Sequence, residues 1–179
     1  MHTDKKVRFQ AHRGVSTEFP GNTLVAFKAA VDQGYDLIEL DPKFTADNRC
    51  VILHDRTINR TARNNDGSEI INEIAIGSIT RDQAKGYDFG IAKAPAFRGE
   101  TIPDLEEALQ FSKSYLIPLK FDNVMESFTR EQLAIFFKTI KEAGVDAGIG
   151  FTCKTIEFLQ KVVAEFPNAE IHFDGVFDE

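Results

Sequence analysis

At 179 residues and a formal charge of −7, the chain is long enough for one sizeable hydrophobic core. It is too acidic for a dedicated nucleic-acid binder, which would carry a basic face. Any phosphate it handles must therefore be captured locally, by a cation and one or two basic side chains. With 16 phenylalanines and no tryptophan, the large-side-chain packing falls to Phe, and Phe9, Phe44 and Phe121 read as core. Cys50 and Cys153 are too few and too far apart for a disulfide framework or a zinc site, and fit reduced thiols. Residues 1–10 lack the apolar stretch of a signal peptide, and no run approaches membrane-spanning length. The expectation is a cytoplasmic protein without stable membrane insertion, organised as a single domain over residues 1–179.

The first apolar run, residues 7–11, predicts a strand ending at His12. Pro20-Gly21-Asn22-Thr23 is a turn in which Asn22 or Thr23 caps a helix. Leu24, Phe27, Ala30 and Val31 recur at helical spacing until Gly34 stops it. Residues 36–44 predict a second strand and 50–54 a third, separated by turn residues 46–49. A loop-rich region follows over 56–99, marked by the Asn64-Asn65-Asp66-Gly67 turn, with Ser78 or Thr80 capping a short helix across 81–85. A better helix begins at Pro103-Asp104-Leu105-Glu106-Glu107, with Pro near its first position and acids where the macrodipole favours them. Then come a strand over 115–122, a helix over 130–143 ended by Gly144, and a strand over 147–153. A helix over 155–166 stops at Pro167, and residues 170–173 form a last strand.

Alternation of strand and helix argues for a parallel sheet covered by helices. No G-x-G-x-x-G follows the first strand, so a dinucleotide fold loses its main support. His12, Glu39, Asp41, His54 and Lys120 all fall at or near strand C-terminal ends, which is the catalytic face of a (β/α)8 barrel. Glu39 and Asp41, two apart on a strand, point the same way, as ligands of a hard cation do. Ile38, Leu40 and Leu37 mark that strand as buried, where two unpaired carboxylates are costly unless a cation joins them. A His followed by Arg and Gly at a strand end is placed to handle protons beside a phosphate. Together these residues point to metal-assisted phosphodiester chemistry. Asp55 is placed to orient His54, Arg60 reads as a structural tie, and His2 and His172 receive no role.

The order AHRG (11–14), PGNTLVAF (20–27), IELD (38–41), LHD (53–55), NRT (59–61) and GETIPDLEEAL (99–109) resembles the glycerophosphodiester phosphodiesterase family. The resemblance extends to about Asp122 and thins afterwards. It implies a TIM-type (β/α)8 barrel that hydrolyses glycerophosphodiesters to sn-glycerol 3-phosphate and an alcohol with a divalent cation, Mg²⁺ or Ca²⁺. Matched by motif, His12 and His54 are the general acid and base. Glu39 and Asp41 are metal ligands, and Arg13 and Lys120 contact the substrate. The implied partner is a small glycerophosphodiester, not nucleic acid.

Three features depart from the family pattern. Gly21 stands where the family has Glu. Aligning the family's E-x-K strand on Lys120 puts Pro118 at the position of the third ligand, and Pro offers no side-chain donor. Alternation along the strand then nominates Asp122, on the same side as Lys120, as the replacement ligand, against its reading as a cap or turn residue. Finally, a full barrel takes about 250 residues, so the circuit is expected to be incomplete at the C-terminus, with a homo-oligomer or a partner chain able to complete it. Two other readings stand beside hydrolysis. One is a catalytically degenerate barrel that binds glycerol-phosphate groups; the other is a lysophospholipase D-like phosphodiesterase.

Overall fold

The computed structural model describes residues 7–145 and 148–176. Five parallel strands form one sheet: β1 (Gln10–His12), β2 (Leu37–Leu40), β5 (Leu119–Phe121), β6 (Ile149–Cys153) and β7 (Glu170–Phe173), in that spatial order. Helices connect them: α1 (Leu24–Asp32), α3 (Leu105–Tyr115), α4 (Arg130–Ala143) and α5 (Ile156–Glu165). The predicted α/β alternation is thus present, as an open sheet whose edges β1 and β7 do not pair. Arg8, just before β1, nevertheless meets Glu170 on β7 at 2.5 Å. Four strand spacings of about 4.8 Å would hold flat edges about 19 Å apart, so the sheet is strongly curled.

The strand expected over 36–44 divides. Pro42 has no N–H with which to continue the ladder, and the chain leaves the sheet after Leu40. β3 (Pro42–Phe44) instead pairs antiparallel with β4 (Cys50–Ile52), Lys43 opposite Val51. The run predicted as a third strand of the main sheet is therefore half of a hairpin beside it. The strand expected over 115–122 is only β5: Tyr115 still belongs to α3, and Leu116 turns the chain at φ 53°. Pro103 lies outside α3, whose N-cap is Asp104 in a reciprocal capping box with Glu107. Thr23, not Asn22, caps α1, and Thr80 caps the short α2 (Arg81–Lys85). Ala147 of the expected strand 147–153 lies outside the described residues.

Alternation sorts each strand's side chains onto two faces. Ile38, Leu40, Leu119, Phe121, Ile149 and Phe151 face the helices and are buried. There Phe121 and Phe151 join Phe136 and Phe137 of α4 and Phe166 after α5, with ring centroids 4.9–6.4 Å apart. Phe44 and Phe121 are core as expected, but Phe9 is 64% exposed. It precedes the edge strand β1, where no described element covers it. The loop-rich stretch 56–99 has its own apolar cluster, built on Val51, Leu53, Ile58, Ile76, Phe89 and Ile102. Among the described residues, no helix is long and apolar enough to cross a membrane.

Candidate active site

The site starts where β1 ends. Arg13 and Gly14 both take positive φ, 59° and 74°, and turn the chain sharply after His12. A Cβ on Gly14 would lie 2.6 Å from the backbone of Ala26 in α1, so only glycine permits this approach. The turn aims the Arg13 N–H at the neighbouring strand, where it donates to the Glu39 carbonyl at 2.9 Å and to its carboxylate at 3.2 Å.

Register then assembles the acids. His12 pairs with Glu39, and Glu39 with Lys120; one step on, the Asp122 N–H bonds the Leu40 carbonyl, which sets Asp122 beside Asp41. Glu39, Asp41 and Asp122 offer carboxylate oxygens within 4.8 Å of one another. Glu39 is 5% exposed and Asp41 1%. One Asp41 oxygen accepts from Asn22 at 2.9 Å and lies 3.2 Å from Arg13 Nε, a Coulombic contact without hydrogen-bond alignment. Its other oxygen is buried and has no partner. Burial, then the charges of Asp41 and Asp122, push the Glu39 carboxyl up to about 7 against the opposing pull of Arg13. An orphaned oxygen within three crowded oxygen donors fits a hard divalent cation.

Asp122 occupies the N-cap position of a 3₁₀ turn (Asn123–Ser127), yet its side chain makes no capping bond; it joins the carboxylates instead. Pro118 lies at the opposite end of β5, in a surface hollow with Gly148 and Asn168. The geometry thus brings Asp122, not residue 118, to the cluster.

His12 and His54 approach from different elements. His12 Nε2 is 3.8 Å from Glu39, and burial, then Arg13, hold its pKa below the usual histidine value against Asp41. His54, after β4, meets Asp55 through Nδ1 at 2.7 Å, leaving Nε2 for the cavity. Asp55 is held down to about 2, first by its hydrogen bond from Arg60 (Nε, 2.5 Å) and then by His54. Arg60, Asp55 and His54 are thus linked in one chain of contacts, and Arg60 also lines the cavity beside His54.

Two cavities meet at Arg13. One, of about 260 Å³, is lined by His54, Asn22, Arg60 and Lys93 with the apolar Phe19, Leu53, Phe89 and Ala92. The other, of about 340 Å³, is lined by His12, Glu39, Lys120, Asp122, Thr152, His172 and Asp174 among others. Lys120 reaches Gln10 at 3.0 Å across the latter's floor.

All seven candidate site residues therefore border one region. Sequence reasoning missed four others. Asn22 was weighed as a cap, but Thr23 takes that task and frees Asn22 to hold Asp41; the PGNT motif was the available signal. Lys43 is half-buried near Asp41, Asp122 and Asp55, with its pKa lowered by burial. Thr152 and His172 enter the cavity through register alone, and no local motif marks them.

The family model described as Glycerophosphoryl diester phosphodiesterase family matches residues 12–175. A glycerophosphodiester phosphodiesterase of Caldanaerobacter subterraneus is 36% identical over 136 residues, covering 74% of this chain and 51% of that protein. The chain thus spans about half the length of this relative. Among solved structures, a glycerophosphodiester phosphodiesterase from Agrobacterium tumefaciens superposes with a TM-score of 0.71 at 20% identity, over 93% of this chain and 66% of that one. An Oleispira antarctica phosphodiesterase, solved with the product sn-glycerol-3-phosphate, gives 0.72 at 24%, over 93% and 65%. These likenesses show the fold, a TIM-type α/β barrel represented here by five parallel strands. On the match over residues 12–175, the chain belongs to the glycerophosphoryl diester phosphodiesterase family.

Proposed function

We propose that the chain is a metal-dependent phosphodiesterase that hydrolyses glycerophosphodiesters to sn-glycerol 3-phosphate and an alcohol. The observation that carries this reading is the buried, partnerless Asp41 oxygen among three carboxylates, beside both His12 and Arg13. The Oleispira antarctica relative was solved with the product this reaction would yield. Glu39, Asp41 and Asp122 would hold the ion, Mg²⁺ or Ca²⁺. When bound, it would supply charge neutralisation at the phosphoryl oxygens and orient the diester.

Arg13 offers its guanidinium to the same phosphate, with Lys120 beyond it. His12, held below its ordinary pKa, is neutral near pH 7 and accepts the proton of the attacking oxygen. His54 delivers a proton from Nε2 to the departing alkoxide, its ring fixed by Asp55. We place the whole chain in one domain with a small-molecule substrate and a cytoplasmic setting. The alternative of a degenerate binding module draws on Pro118, which lies away from the carboxylates, and on the incomplete barrel, here an open sheet of five strands.

The test is release of glycerol 3-phosphate from glycerophosphocholine with Mg²⁺, with Ca²⁺ and with EDTA. His12→Ala and His54→Ala should each lower turnover by about 10²–10⁴-fold, and Asp122→Ala should weaken activation by the cation. Turnover that survives EDTA and both histidine variants would overturn the reading.

A further inference from the structure

The Arg and Lys side chains that line the two cavities each meet a protein group already. Arg13 lies 3.2 Å from Asp41, and Arg60 donates to Asp55. Lys93 donates to the Ser16 and Thr17 carbonyls, and Lys120 to Gln10. Lys43 is different. It lies among the same carboxylates, yet its ammonium makes no hydrogen bond or close ion pair with any described residue.

The hairpin puts it there. Phe44 packs into the main core against Phe128, so alternation turns Lys43 to the other face of β3, opposite Val51. At the same end the Leu53 N–H donates to the Asp41 carbonyl at 2.8 Å, which brings the segment carrying His54 and Asp55 alongside. Lys43 is half-buried, attracted by Asp41, Asp122 and Asp55 and repelled by Arg56. Removing an ammonium from water without a bonded partner is costly. A carboxylate could relieve that cost, and one is at hand: the second Asp41 oxygen is buried and has no partner either. A lysine stem is long and flexible, yet the cation and the orphaned oxygen stand unpaired.

We propose that these two groups are reserved for different ligands, the Asp41 oxygen for the metal cation and the Lys43 ammonium for a non-bridging phosphoryl oxygen of the diester. The inference rests on the phosphodiesterase reading and adds a substrate-binding residue to it. Charge balance favours the assignment. Three carboxylates around one divalent cation keep a net negative charge, and an anionic diester must bind beside them. Arg13 offsets only part of that charge, because Asp41 already faces it. Lys43 supplies an uncommitted positive charge from the hairpin side of the cluster. An ammonium suits the task, since it binds a phosphoryl oxygen as a point charge and needs no forked geometry.

The test is calorimetric titration of the whole chain with Mg²⁺ alone, and then with inorganic phosphate in saturating Mg²⁺. Lys43→Gln should weaken phosphate binding by about 10–100-fold, the range of a charged hydrogen bond, without lowering Mg²⁺ affinity. Lys43→Arg should keep most of the phosphate affinity, and kcat/KM for glycerophosphocholine should fall in the same order. Lys43→Met, which retains an unbranched aliphatic chain, takes the place of Lys43→Gln if that variant does not fold. Phosphate affinity and kcat/KM both unchanged in the folded variant would overturn the contact. A parallel loss of Mg²⁺ affinity would also overturn it, by making Lys43 a support of the carboxylates. Phosphate binding that depends on Lys43, in a wild type that does not turn over glycerophosphocholine, would uphold the contact and overturn the phosphodiesterase reading alone.

Discussion

The two faces of the parallel sheet, built from alternate residues of the same strands, are made for opposite purposes. Facing the helices, Leu40, Phe121 and Phe151 are sealed in a lattice of aromatic rings. On the concave side, Glu39, Lys120, Asp122, Thr152 and His172 stand where a packed barrel interior would carry branched aliphatic side chains. The outer face lowers the free energy of folding. The inner face raises it, by burying crowded carboxylates and leaving an Asp41 oxygen and the Thr152 hydroxyl without a protein partner. Stability and chemistry are thus separated by a single residue step along each strand.

The sharpest way to break this comparison is to exchange the roles. Phe151→Ala removes a ring that touches Phe121, Phe137 and Phe166. It should cost about 3–5 kcal/mol in urea unfolding, yet leave cation affinity intact wherever the protein remains folded.

Glu39→Gln should do the reverse. The folded-state pKa of Glu39, raised to about 7 from 4.5, means that the metal-free native state binds its proton more tightly than the unfolded chain does. The stability linked to that proton is fully present below pH 4.5 and is lost as pH rises through 7, about 3 kcal/mol in all. In EDTA at pH 8, Glu39→Gln should therefore be more stable than wild type by up to about 3 kcal/mol, with little difference near pH 4.5 and with weakened cation binding. Divalent cation should restore wild-type stability at pH 8. A variant less stable than wild type at pH 8 would make the inner face a structural network, and the comparison would fail.

The smallest effect is expected at Arg60. Its pair with Asp55 is largely exposed on the Arg60 side, so Arg60→Ala should change stability by no more than about 1 kcal/mol. Asp55 now sits at about 2, and its contribution is present above the ordinary carboxylate range and lost as pH falls through that value. NMR titration of the variant should show Asp55 rising toward its usual range. A loss of turnover without loss of stability would assign the contact to orienting His54.

Much of this was legible locally. Gly144 announced the end of α4, and the i, i+2 spacing of Glu39 and Asp41 announced paired carboxylates. Other features were not legible, because they depend on what lies across a gap. Phe9 reads as core by composition and is exposed because nothing described covers the β1 edge. The run 36–44 reads as one strand, and Pro42 hands its second half to a hairpin. Asn22 and Thr23 are equivalent as caps on paper. Only the position of Asp41 separates them.

By itself the sequence determined the family motifs, the order of the helices and which residues of each strand share a face, since helical spacing and the two-residue period act over a few residues. Only the tertiary structure decided that Asp122 rather than residue 118 joins Glu39 and Asp41, and that Thr152 and His172 extend the same rim. Those assignments depend on register between strands distant in the chain. That register is set by how the apolar outer face packs against its helices, and no local spacing records it.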